Sequence, residues 1–83
     1  MSNKVVKVDH VVLTLKMSAS GTGMEREQIN ELVNRRLAEG YDTVDVYLAR
    51  TNFDDRIAPV DQIFVYIFKA FEKESAKAKK ADA

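Results

Sequence analysis

Ile63-Phe64-Val65-Tyr66-Ile67-Phe68 is the stretch that decides the fold. It is a short, unbroken apolar run rich in β-branched and aromatic side chains, and it has no polar stripe at helical spacing. It therefore reads as a strand. A strand with one face in water alternates apolar with polar residues. This one does not, so both faces are expected to be covered or engaged, as in the centre of a sheet. Extended both ways, the strand runs from Val60 to Phe71.

Upstream of it, Asn52 to Pro59 is polar, turn-rich and holds the only proline. Before that turn, Thr43 to Thr51 reads as a strand, with Val44, Val46 and Leu48 on one face and Thr43, Asp45, Tyr47 and Ala49 on the other. A helix is expected from about Gly23 to Glu39. Met24, Ile29, Leu32, Val33 and Leu37 form its apolar stripe, acids sit in the early turns and arginines in the late ones. Thr22-Gly23-Met24-Glu25 fits a capping box at its start, and Gly40 suits the residue after its end. Val5 to Met17 supplies the first strand, joined to the helix by the small-residue loop Ser18 to Gly23. The order is β-α-β-β. The helical crossover and the hairpin are both satisfied if the third strand lies between the other two. The expected fold is α+β, one amphipathic helix on a three-stranded antiparallel sheet of order 2-3-1. Residues 1–71 form the single domain, and 72–83 read as a charged tail, disordered or a frayed helix.

Composition narrows the function classes. The chain has 83 residues, 46% hydrophobic and 31% charged, as a single folded domain should. It contains no cysteine, which excludes thiol nucleophiles, zinc–thiolate sites and disulfides. No run approaches a membrane span or the core of a signal peptide, so a cytoplasmic location is expected. Thirteen basic residues balance thirteen acidic ones. A protein that grips duplex DNA normally has a clear basic excess, so nucleic acid is an unfavoured partner.

One helix covers one face of a sheet. The helix is expected over Val44, Val46 and Leu48 with Ile63, Val65 and Ile67, leaving Tyr47, Phe64, Tyr66 and Phe68 on the opposite face. Such an aromatic patch exceeds the ordinary scatter of surface hydrophobes. It is the candidate interface. A second copy of the chain or the returning tail would cover it most simply, since small domains gain burial by association. Docking of another protein and base stacking of single-stranded nucleic acid are the alternatives.

The other candidates have simpler readings. His10 is the only histidine, and its neighbour Asp9 points to the other face of the strand, so the two form no catalytic pair. Asp54, Asp55 and Asp61 lack calcium-loop spacing and read as turn residues. Ser18 to Gly23 is followed by Met24-Glu25 and not by the lysine of a phosphate-binding loop, so it reads as a helix entry. Lys73, Lys77, Lys79 and Lys80 are offset by Glu72, Glu74 and Asp82 and read as a solvated tail. An active site shared between subunits would have to use Asp45 and His10. No enzyme, no metal and no cofactor is expected.

The β-α-β-β order with a helix of this length resembles the dodecins, small flavin-storing proteins that assemble through their sheets. Dodecins stack flavin on a tryptophan and this chain has none, so no flavin-binding residue carries over. Leu37-Ala38-Glu39-Gly40-Tyr41, then Val44, then Val65-Tyr66-Ile67-Phe68-Lys69 resemble a family of very small, uncharacterised bacterial and phage domains. That resemblance implies the fold and no reaction. The expected function is a non-enzymatic protein-interaction module, a homo-oligomer through its sheet, of the kind phage accessory proteins use to occlude a larger target. The alternative is a single-stranded nucleic-acid binder using the aromatic face.

Overall fold

The computed structural model describes residues 4–72, so the tail from 73 onward lies outside the described residues. The elements are β1 (Val5–Lys16), α1 (Arg26–Ala38), β2 (Thr43–Phe53) and β3 (Pro59–Phe71). They form one sheet of order β1-β3-β2, with both pairs antiparallel. This is the expected α+β arrangement with the apolar strand at its centre. No described helix is long and apolar enough to cross a membrane.

The helix begins three residues later than a cap at Thr22 would set it. The backbone N–H groups of Thr22 and Gly23 donate instead to the Asp61 carboxylate, at 3.1 and 2.9 Å. Met24 is extended and pairs with the edge of β1: its N–H donates to Thr14 O at 2.7 Å, and Lys16 N–H donates to Met24 O at 2.8 Å. With 22–24 held in that way, the turn starts at Glu25, whose N–H donates to the Gln28 side-chain oxygen at 3.0 Å. At the other end Gly40 takes φ +114°, a region glycine enters cheaply, and its N–H donates to Leu37 O at 3.2 Å.

Register fixes the two faces, and it corrects the expected assignment. Val44, Val46 and Leu48 stand opposite Phe68, Tyr66 and Phe64. On the other side Val11 and Leu13 stand opposite Tyr66 and Phe64. Directly paired residues share a face, so the three aromatics lie with Val44, Val46 and Leu48, on the helix side. Ile29 of α1 packs with Leu13 and Leu15, against Phe64 and Tyr66. Phe68 is wholly buried and sits with Tyr41 and Ala70, their aromatic ring centroids 5.7 Å apart. Both faces of β3 are apolar, so its own alternation cannot say which set faces the helix. Putting the bulkier aromatic set beneath the helix removes more apolar surface from water.

Candidate interaction surface

The face away from the helix is built in rows. Val12, Val65 and Tyr47 form the middle one. His10, Ile67 and Asp45 lie on one side of it, and Thr14, Ile63 and Arg50 on the other. Val12 is 63% exposed and Tyr47 56%, with Ile63, Val65 and Ile67 half-buried between their neighbours. The result is an aliphatic strip bordered by polar groups. Lys69 Nζ lies 3.6 Å from Asp45 Oδ2 at the border.

Of the four aromatic residues expected here, only Tyr47 is on this face. A base-stacking platform of Phe64, Tyr66 and Phe68 is therefore not presented by the open sheet. His10 shares a row with Asp45, but β3 runs between them, and two strand spacings are about 9.6 Å. Asp9 turns to the helix side, where it pairs with Arg36 at 2.6 Å, as expected for a neighbour on the opposite face from His10. Its Oδ1 also accepts the backbone N–H of His10, at 3.0 Å.

The hairpin acids do structural work. Asp54 Oδ1 accepts the N–H groups of Arg56 and Ala58 at 2.8 and 3.0 Å, which closes the β2–β3 turn. Asp61 is buried and accepts both N–H groups of the β1–α1 loop together with the Thr22 hydroxyl. An open depression of about 440 Å³ lies between Ser18–Ser20 and the Asp54–Ala58 turn. Its hydroxyls bond one another at 3.0 Å. Among the described residues no group of three or more His, Cys, Asp or Glu side chains is placed to hold a metal ion.

Two features escaped the sequence reading. Val46 and Leu48, on the helix side of β2, remain 48% and 54% exposed because α1 lies over β1 and β3. A long apolar stretch on a strand expected at the sheet edge was the available signal. Ile57, at the hairpin tip, has φ +59° and is 81% exposed. No sequence signal foretells an isoleucine where the turn favours glycine.

No protein-family model, no curated protein and no solved structure matches the chain.

Proposed function

We propose that this chain is a non-enzymatic protein-interaction module, and that its working surface is the aliphatic face of the sheet centred on Val12, Val65 and Tyr47. The observation behind this reading is the sheet face that no described element covers: β1 and β3 contribute apolar residues there that α1 does not reach. An aliphatic strip with a polar border matches the anatomy of a protein interface, apolar in its middle and charged at its rim. Its one imidazole, His10, stands across β3 from Asp45, and Asp45 is engaged in an ion pair with Lys69 at 3.6 Å. A target-occluding role, as in phage accessory proteins, is consistent with a small domain that devotes most of one face to contact.

The test is capture from the native host with the intact chain, compared with Val12→Asp and Tyr47→Asp. Both positions are exposed, so the variants should fold, with unchanged far-ultraviolet circular dichroism. Loss of a captured protein with both variants is expected. Full capture by both would contradict the reading.

A further inference from the structure

The sheet has two edges, and they are not equivalent. Met24 closes only the end of β1, bonding to Thr14 and Lys16, and the rest of that edge carries Lys7, a charge that discourages edge pairing. Among the described residues nothing pairs along the outer side of β2, which runs for 11 residues without proline or lysine. It carries exposed apolar side chains on both faces, Val46 and Leu48 on one and Tyr47 on the other. The stretch from Thr43 to Leu48 precedes the irregularities at Leu48/Arg50 and Asn52/Phe53, and an open edge with exposed apolar side chains is a template for another strand.

We propose that β2 pairs antiparallel with β2 of a second copy about a two-fold axis at Tyr47, joining two three-stranded sheets into one of six strands. The charge pattern favours this register. A two-fold axis normal to the sheet keeps each face on its own side, so only residues of one face can meet. Centring on Tyr47 sets Val46 against Leu48 of the second copy, and Leu48 against its Val46, on the helix side where neither is covered. On the open side Tyr47 meets its own copy. Asp45 then meets Arg50 of the second copy, because the irregularity between Leu48 and Arg50 returns Arg50 to the open face opposite Ile63. Two apolar pairs and two opposite-charge pairs form at once. Centring on Asp45 would bring two carboxylates together, and like charges directly opposite are destabilising.

This inference uses the edge of the sheet and shares only Tyr47 with the centre of the proposed surface, so Val12, which lies on the face and off that edge, separates its failure from that of the proposed function. A single-edge interface lies at the small end of specific interfaces, so the dimer should form reversibly across the micromolar range. The test is sedimentation velocity of the full chain from 1 to 200 µM, about the range where such an edge should titrate. Wild type should shift from monomer to dimer. Asp45→Arg alone and Arg50→Asp alone should each dimerise at least about tenfold more weakly, because each sets like charges opposite. An equimolar mixture of the two variants should recover dimer, since both cross-strand pairs are then of opposite sign. Val12→Asp, on the open face, should dimerise as wild type does. A wild type that stays monomeric at the highest concentration, a mixture that fails to recover, or a dimer lost with Val12→Asp would each overturn the proposal.

Discussion

Replacing Asp61 by asparagine tests how the β1–α1 loop is held. The carboxylate is 6% exposed and accepts Gly23 N–H at 2.9 Å, Thr22 N–H at 3.1 Å and the Thr22 hydroxyl at 3.4 Å. The hydroxyl contact is too long to count for much. Each N–H bond to a charged acceptor contributes about 1.5–3 kcal/mol, against about 1 kcal/mol for a neutral one. Both N–H groups are nearer Oδ1, so asparagine can keep a neutral acceptor for them but turns its amide toward the Thr22 N–H, which also donates to Oδ2 at 3.2 Å. Losing the charge assistance at two bonds gives a cost of about 2 kcal/mol, after allowing for the easier burial of a neutral amide. For a domain of this size that lowers Tm by about 8–16 °C. Asp61→Ala leaves both N–H groups without this acceptor and should cost more. Thermal and urea unfolding followed by circular dichroism measures all three proteins. If Asp61→Asn melts within about 3 °C of wild type, the carboxylate is not what holds the loop.

Three further outcomes follow from the same geometry. Gly23→Ala places a methyl group 2.7 Å from Thr14 O and 2.9 Å from Lys16 N, which should force the loop off β1 and cost about 2 kcal/mol in urea unfolding. Ile57→Gly relieves a β-branched residue in the left-handed region and should raise stability by about 1 kcal/mol, read in the same assay. Phe68→Ala should cost about 3–5 kcal/mol because Phe68 is wholly buried, whereas Val12→Ala on the open face should change monomer stability by less than about 0.5 kcal/mol.

The fold was legible because several local signals agreed. An apolar run flanked by a turn, a helical stripe from Ile29 to Leu37 and Gly40 at the helix end all pointed to β-α-β-β, and the unalternating run put β3 in the middle. The face assignment was not legible. In a strand apolar on both sides, a one-residue slip of register exchanges the two sets of side chains, and only pairing with Val44, Val46 and Leu48 decides between them. The helix start was misplaced for a different reason. Thr22 looks like a cap within its own segment, but its N–H is taken by Asp61, 39 residues away. A contact of that range leaves no local trace. Of the four aromatics expected on the open face, only Tyr47 lies there, and the residues around it are aliphatic.

The most direct measurement on the proposed surface is photo-cross-linking in the native host, with a benzoylphenylalanine placed in turn at Val12, at Tyr47 and at the exposed Glu31 of α1. Cross-linked species should form from Val12 and Tyr47, and Val12 should capture a protein other than the chain itself. Glu31 should give none. Adducts from Glu31 with none from Val12 would place the interaction on the helix and contradict the account.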